Sequence, residues 1–285
     1  MLKFCFLLLL LLIVTTGFNF AERSANAQGP VRSPASNAAD SKTMARTVQI
    51  SLSVDADVLI ENSEGKRVGL DFNSRKFVNE ISGARVVSSE GSATFILPFE
   101  KFDQPYKVTV SGKSATKVDA DLTMTGPGFV VGFRSVRLTS GQVQTMTLAA
   151  NGLHLSLTAI QDGPTPQVFM TAQSGRDKPS YRFEVASRLL KTGKTITVDL
   201  DKDKGRLYFK TDDPRKDSFN ATMRRTNPAG TRDLFAHQDI SFGQTNSYAM
   251  DFGRWDGKGE ICFYEVCDIC KEKGCTKLRN ESSGR

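Results

Sequence analysis

Short runs of alternating hydrophobic and polar residues fill the chain from about residue 45 onward. Runs such as TVQISLSV, SATFILPF, YKVTVSG and FVVGFRSVRL place a β-branched or aromatic residue at roughly every second position, which is the period of a strand that buries one face. Gly, Pro, Asn and Asp fall between the runs, where turns are expected. After the N-terminal leader, no segment of ten or more residues keeps the period of an amphipathic helix. The pattern therefore predicts an all-β fold of antiparallel β-sandwich type, with no helix beyond the leader.

The runs form two series, which predict two β-sandwich domains in tandem. The first covers residues 45–150, the second covers residues 151–267, and residues 268–285 follow as a polar tail that contains cysteines. The final strand pairs of the two series share their hydrophobic spacing. The residues concerned are Val136, Leu138, Met146 and Leu148 in the first series and Ile240, Phe242, Met250 and Phe252 in the second. Two interpretations stay open, a duplicated unit and two unrelated sandwiches that alternate in the same way.

The N-terminus predicts export. Residues 4–14 are an unbroken apolar run, and Ala25 and Ala27 form the A-x-A pattern that signal peptidase accepts. The run is shorter than the roughly 20 apolar residues of a membrane span. We therefore expect residues 1–27 to be a cleaved signal peptide that contains Cys5, and residues 28–44 to be a flexible linker. No later stretch is apolar enough to cross a bilayer, so the expected location is secreted or periplasmic.

The net charge narrows the choice of partners only slightly. Removing Lys3, Arg23 and Glu22 with the leader changes 38 basic and 31 acidic residues to 36 and 30, a net charge of +6. The basic residues are scattered along the chain, without the concentrated stripe and interleaved aromatic residues typical of nucleic-acid binding. We therefore predict no nucleic-acid partner. Attraction to an anionic polysaccharide or membrane surface stays open beside the interpretation that these charges are solvated strand faces.

The first series contains two motifs of turn-forming residues. Gly65, Lys66 and Gly69 fit a D-x-x-G-[RK]-x-x-G turn in which Asn62 replaces the aspartate, and residues 79–84 fit an N-E-I-P-G-A signature in which serine replaces the proline. With these motifs the series resembles a recurring module of uncharacterised exported bacterial proteins. The ending FGRWDGKGEICFY is similar to the closing hairpin of such proteins. The resemblance implies an immunoglobulin-like or related sandwich, a bacterial source and no known activity.

One acidic segment suggests calcium. Asp199, Asp201 and Asp203 lie at alternate positions, as the first ligands of a calcium loop do. Glycine, however, falls one place too late, no glutamate follows at the twelfth position, and two lysines add positive charge. The same residues fit a hairpin turn in which Gly205 takes a positive φ. We predict the turn, no metal site and no cofactor.

The chain has two histidines, His154 and His237, as conventional bases. His237 shares a strand run with Asp239 and Ser241, which would place three triad-type side chains in a row about 7 Å apart rather than converging on one point. Neither a G-x-S-x-G elbow nor an H-E-x-x-H motif occurs in the sequence. We predict no catalytic residue and no enzymatic activity.

The single tryptophan, Trp255, lies in the turn-rich segment RWDGKG between Arg254 and Asp256. An exposed indole ring could stack on a sugar ring, with its two charged neighbours beside it. A buried ring would instead plug one end of a sandwich core. Both interpretations stay open, and the first makes Trp255, Arg254 and Asp256 a candidate ligand contact.

Four cysteines, Cys262, Cys267, Cys270 and Cys275, form a C-x4-C-x2-C-x4-C cluster at the end of the last strand run. Two disulfides, a zinc site and a redox pair are the alternatives. Zinc ligands usually come from two separated knuckles, and C-x2-C redox motifs lie between a strand and a helix, so neither context fits. An oxidising compartment and an even number of thiols favour two disulfides, nested as Cys262 with Cys275 and Cys267 with Cys270. Such bridges would hold the tail against the sandwich.

The sequence thus predicts a secreted, non-enzymatic β-sandwich protein that acts as a binding, adhesive or structural module of the cell envelope or extracellular space. Its expected partner is a protein or a polysaccharide. The alternative is an envelope redox or metal-binding protein that uses the cysteine cluster. A hydrolase built around His237 is a third and weaker interpretation.

Overall fold

The structure, a computed structural model, describes residues 46–89, 92–99, 104–173, 175, 177–215, 217–242, 245–266 and 274–281. These residues form strands and turns without an α-helix, so they contain no helix that could span a bilayer. The predicted all-β fold class is confirmed. The predicted signal peptide, residues 1–27, and the predicted linker, residues 28–44, lie outside the described residues.

The strands are short and are separated mostly by tight turns. In chain order they are β1 (Thr47–Leu52), β2 (Ala56–Glu61), β3 (Arg67–Leu70), β4 (Phe77–Asn79), β5 (Arg85–Ser89), β6 (Ser92–Pro98), β7 (Pro105–Gly112), β8 (Val118–Gly126), β9 (Phe129–Leu138), β10 (Val143–Ala149), β11 (His154–Thr158), β12 (Gln167–Ala172), β13 (Ser180–Ser187), β14 (Thr195–Asp201), β15 (Arg206–Thr211), β16 (Phe219–Thr226), β17 (Arg232–Ile240), β18 (Ser247–Asp251), β19 (Ile261–Glu265) and β20 (Thr276–Leu278).

These strands form two antiparallel sheets packed face to face. The front sheet has nine strands in the order β17-β16-β13-β12-β9-β8-β1-β6-β5, and the back sheet has eleven in the order β20-β19-β18-β15-β14-β11-β10-β7-β2-β3-β4. Phe219 of the front sheet lies against Phe209 and Tyr248 of the back sheet, with ring centroids 5.1 Å and 5.8 Å apart. The architecture is therefore a β-sandwich with one core between the sheets.

The alternating sequence pattern sets which side chains enter this core. In β1, Val48, Ile50 and Leu52 are at most 3% exposed, while the intervening Gln49 and Ser51 lie on the outer face. Successive side chains of a strand point to opposite faces, so a run with apolar residues at every second position buries one face. Each fully buried aliphatic side chain of this kind contributes about 1.5–3 kcal/mol through the hydrophobic effect.

The two predicted halves share both sheets. In the front sheet β9 pairs with β12, and in the back sheet β10 pairs with β11. Both sheets therefore continue across the predicted boundary between residues 150 and 151, and the described residues belong to one compact unit. Within each sheet the strands of each half remain contiguous, so the two sandwich units are joined edge to edge. The segment predicted as a polar tail adds β20 to the back sheet.

The halves also repeat one another in topology. In the front sheet, the order β9-β8-β1 matches β17-β16-β13, and in the back sheet β10-β7-β2 matches β18-β15-β14. The chain visits these strands in the same sequence in both halves. Strands β3 to β6 are an insertion that only the first half contains. This agreement supports the interpretation of a duplicated sandwich unit.

A bulge at the same place in each half supports it further. Strand β9 carries one more residue than β8, and β17 carries one more than β16. The bulged residues, Ser135 and Asp239, have φ values of 55° and 57°. Residues other than glycine rarely adopt this backbone conformation. The backbone N–H of Ser135 donates to the carboxylate of Asp121 at 3.0 Å, and that of Asp239 donates to the amide oxygen of Asn220 at 3.2 Å.

The motif residues of the first half build turns next to β3 and β4. The amide oxygen of Asn62 accepts hydrogen bonds from the backbone N–H groups of Glu64 and Lys66, at 3.0 Å and 2.9 Å. The Glu80 carboxylate accepts from the backbone N–H and the guanidinium of Arg67, at 3.1 Å and 3.0 Å. These contacts fix the turns on either side of the first inserted strand, β3.

Candidate functional site

A cleft of about 220 Å³ opens between the two sheets where the two halves meet. Its walls come from Ser135 and Arg137 of β9, Gln144 of β10, Leu157 of β11 and Gln167 of β12. We call it the junction cleft. It depends on the edge-to-edge joining of the halves, because neither half supplies all of its walls.

Gln144 is the buried polar residue of the junction cleft, with 3% of its surface exposed. Its amide nitrogen donates to the carbonyl oxygens of Thr158 at 2.6 Å and Thr145 at 3.2 Å. Both donor hydrogens are thereby used, and the amide oxygen has no hydrogen-bond donor among the described residues. This oxygen is an acceptor that a ligand in the junction cleft can use.

The second half fills the equivalent position with an aromatic ring. The repeat places Tyr248 where the first half has Gln144, and Tyr248 is fully buried. Its ring lies 4.8 Å from that of Phe242, and its hydroxyl lies 2.9 Å from the carbonyl oxygens of Phe242 and Thr245. Burial raises the pKa of Tyr248 to about 12. Both halves bury this position, but the second half fills it with a large ring and the first half with a smaller amide that lines the junction cleft.

A free strand edge borders the junction cleft. Strand β12 pairs with β9 only as far as the Gln167–Arg134 pair, and among the described residues no strand pairs with residues 136–138 on the side away from β8. Across the cleft lie Pro164 and Pro166, which have no backbone N–H and cannot complete a ladder. Among these residues Arg137 is exposed, while Val136 and Leu138 are buried, so Arg137 is the residue of this edge that an added extended segment can reach.

The remaining walls combine apolar and charged groups. Leu157, Ala159 and Ile160 supply apolar surface, and Arg137 and Asp119 lie on exposed strand ends with their charged atoms 3.9 Å apart. This mixture of apolar surface and a few placed polar groups is what small ligand sites usually offer. The junction cleft can hold an apolar side chain while its polar groups bind a backbone.

Trp255, the candidate ligand contact, lies away from the junction cleft and is 5% exposed. Its ring meets that of Phe235 edge-on, with centroids 6.2 Å apart, and its indole N–H donates to the carbonyl oxygen of Lys258 at 3.0 Å. Arg254 and Asp256 remain exposed on either side. A buried ring offers no face to a sugar, so the geometry fits the core interpretation of Trp255.

The acidic segment forms the β14–β15 turn. The Asp201 carboxylate accepts from the backbone N–H of Lys204 at 2.9 Å, and this bond is the first cause of the lowered pKa of Asp201. The Asp199 carboxylate lies 2.5 Å from the His154 ring, and Gly205 has a φ of 65°. The described residues contain no group of three or more His, Cys, Asp or Glu side chains placed to hold a metal ion.

His237 is engaged by the end of the chain. Its ring nitrogen lies 3.0 Å from the carbonyl oxygen of Arg279 and 3.3 Å from the Glu281 carboxylate. Asp239 instead pairs with Arg188. Asp239 takes the bulged position of β17, so His237 and Asp239 have different partners.

Of the four clustered cysteines, Cys262 and Cys275 form a disulfide, which is the outer pair of the predicted nested arrangement. Cys267 and Cys270 lie outside the described residues. The disulfide ties the start of β20 to β19, and residues beyond β20 then reach the edge of the front sheet. Asn280 accepts from the backbone N–H of Ala236 at 3.1 Å and donates to the carbonyl oxygen of Leu234 at 2.5 Å.

The C-terminal segment thus covers β17, an edge strand that would otherwise offer unpaired backbone groups. We expect the double variant C262S/C275S to release this segment before the rest of the sandwich opens. Hydrogen exchange at the backbone amide of Ala236 should then accelerate about tenfold or more. Amides of β8 and β9 should keep their protection. An equal loss of protection throughout the sandwich would contradict this local role.

Sequence reasoning missed the junction cleft, although two signals for it were present. Gln144 is the polar member of an inward-facing series with Met146 and Leu148, and an isolated amide in such a series marks a special position. The inward series of β9 also shifts phase between Phe133 and Val136. The bulge at Ser135, beside the junction cleft, causes this shift in phase.

No protein-family model matches the chain, and no curated protein or solved structure matches it either. The resemblance to exported bacterial proteins therefore stays a prediction. Any functional conclusion depends on the geometry described above.

Proposed function

We propose that this protein is an exported, non-enzymatic binding module of the cell envelope or extracellular space, and that it takes its ligand in the junction cleft. The observation that carries the proposal is the contrast between Gln144 and Tyr248. At equivalent positions, the second half packs a buried aromatic ring, and the first half has a smaller buried amide whose acceptor borders the cleft. The fold therefore tolerates a large aromatic side chain at this position.

The ligand that fits best is an extended polypeptide segment. Its backbone would pair with the unpaired edge of β9 at the exposed Arg137, as a strand added to a sheet edge does. One apolar side chain would enter the cleft against Leu157 and Ile160, since about 220 Å³ is small beside the roughly 300–1,000 Å³ of sites for drug-sized ligands. A backbone N–H of the peptide would donate to the free amide oxygen of Gln144.

The test is a selection of random displayed peptides on residues 28–285, followed by calorimetric titration of the selected peptides. The informative variant is Gln144→Tyr, which copies the second half and should fold because Tyr248 packs at the equivalent place. We expect at least a hundredfold loss of peptide affinity, since the variant both fills the cleft and removes the acceptor. Thr147→Tyr, on the outer face of the same strand, is the matched control and should bind like the parent chain.

Two results would overturn the proposal. One is a folded Gln144→Tyr variant that binds the selected peptides as tightly as the parent does. The other is a selection that yields no peptide with an affinity better than about 1 mM, the level of a non-specific encounter.

A further inference from the structure

The outer face of the front sheet carries a groove lined by positive charge. Two adjoining depressions, of about 240 Å³ and 380 Å³, share Gln173, Ser180 and Thr226 in their walls. We call the continuous surface the basic groove. It shares no lining residue with the junction cleft, so the two sites can be tested separately.

Strand register gathers the cations of the basic groove from distant parts of the chain. Arg182 of β13 lies directly opposite Arg224 of β16, and Arg232 of β17 lies opposite Thr226. Lys178, before β13, completes the set. These four residues are the charged members of the described lining, which contains no carboxylate.

Three of these cations have no partner within the described protein. Lys178, Arg224 and Arg232 are exposed, and their side chains form no hydrogen bond or ion pair with described residues. Like charges placed directly opposite on neighbouring strands, as Arg182 and Arg224 are, destabilise a sheet. A surface that served only folding would gain by pairing Arg224 with an acid, as it pairs Arg182 with Glu184.

The fourth cation is held in place by its neighbours. The Arg182 guanidinium stacks over the Phe169 ring at 5.4 Å, and its Nε donates to the Glu184 carboxylate at 3.2 Å. Arg134 stacks on the same ring at 5.4 Å and pairs with the same carboxylate at 3.2 Å. A guanidinium fixed in this way loses less conformational entropy when it binds an anion.

The uncharged lining indicates which kind of anion fits. Hydroxyl and amide side chains, among them those of Thr171, Ser180, Thr226 and Gln173, lie between the cations and can bond to sugar hydroxyls. Tyr181 is the aromatic residue of the described lining, and its ring packs on Phe252 at 4.9 Å. It packs against the hydrophobic core and does not stand free in the groove, as a stacking platform for nucleic-acid bases would.

We propose that the basic groove binds an acidic polysaccharide, with Lys178, Arg182, Arg224 and Arg232 contacting its carboxylate or sulfate groups. The hydroxyl and amide side chains would contact the neutral sugar positions between these groups. The site is separate from the junction cleft and adds a second ligand class to the proposed function.

The experiment measures binding of residues 28–285 to alginate, which carries carboxylates, and to heparin, which adds sulfates, at 50 and 200 mM NaCl. We expect binding that weakens about tenfold between the two salt concentrations, because screening reduces the attraction between exposed charges. The double variant R224Q/R232Q should weaken binding to either probe about tenfold or more at the lower salt concentration. Both arginines are exposed and without described partners, so the variant should fold like the parent.

The matched control is K76Q/R85Q, which removes the same charge from exposed positions in the first half. It should bind both probes within about twofold of the parent, since those positions lie outside the groove. An equal loss in both double variants would overturn the proposal, because it would mean attraction by net charge alone. Binding to phosphatidylglycerol vesicles or single-stranded DNA without binding to either polysaccharide would overturn it too. Failure of peptide binding at the junction cleft would leave these results unaffected.

Discussion

Replacing Asp217 with alanine is expected to lower the free energy of unfolding by about 3–5 kcal/mol. Asp217 is 3% exposed and lies just before β16. Its carboxylate accepts hydrogen bonds from the hydroxyl of Ser187, which is fully buried, and from the backbone N–H groups of Leu189 at 2.9 Å and Ser218 at 2.7 Å. Alanine would leave three donors without this acceptor. The buried one, the Ser187 hydroxyl, costs about 1–3 kcal/mol, and each of the two part-buried backbone bonds adds about 1 kcal/mol. Urea unfolding followed by tryptophan fluorescence measures the change.

Two further variants separate the causes. Asp217→Asn keeps the size of the side chain and one acceptor oxygen, so we expect a smaller loss of about 1–3 kcal/mol. Asp177→Ala removes an exposed carboxylate from the loop before β13 and should change stability by no more than about 0.5 kcal/mol. A loss below about 1 kcal/mol for Asp217→Ala would show that this hydrogen-bond network contributes little to the stability of the sandwich.

The sequence predicted strand identity well because local alternation determines it. In β14, Ile196, Val198 and Leu200 alternate with polar residues, and this period is visible without knowing any partner strand. The pairing of strands is different, since it depends on backbone groups that every residue carries. The sequences of β9, β10, β11 and β12 contain no signal that tells whether the edge of each strand stays free or pairs with a strand of the other half. The continuity of the two sheets therefore could not be predicted.

The candidate sites were invisible for a related reason. Arg182 and Arg224 are 42 residues apart in the chain and lie opposite one another only through the β13–β16 register. The basic residues are scattered along the sequence, and the pairing of strands in the front sheet brings them together on one surface. Trp255 shows the opposite case, because a conspicuous residue type attracted a ligand hypothesis while its ring lies in the core. The type of a residue was a poor guide to its role wherever the residues that surround it belong to other strands.

Gly69 is the position in the first motif where a single methyl group is expected to do the most damage. It has a φ of 118°, and a Cβ there would lie 2.1 Å from the carbonyl oxygen of Val58. That oxygen belongs to β2, which pairs with β3 at the Leu59–Gly69 pair, so it cannot move without disturbing the sheet. Alanine would combine an unfavourable φ with a backbone clash. We expect Gly69→Ala to cost more than about 3 kcal/mol of unfolding free energy.

Gly65 in the same motif supplies the matched control. It has a φ of 78°, but no atom lies within 4 Å of the position that its Cβ would occupy. Gly65→Ala should therefore cost only the left-handed strain, about 1–2 kcal/mol. Urea unfolding with an unchanged m-value measures both variants on the same scale. Equal losses for the two variants would contradict the argument, because they would mean that φ strain alone sets the cost and that β2 yields to the added methyl group at Gly69.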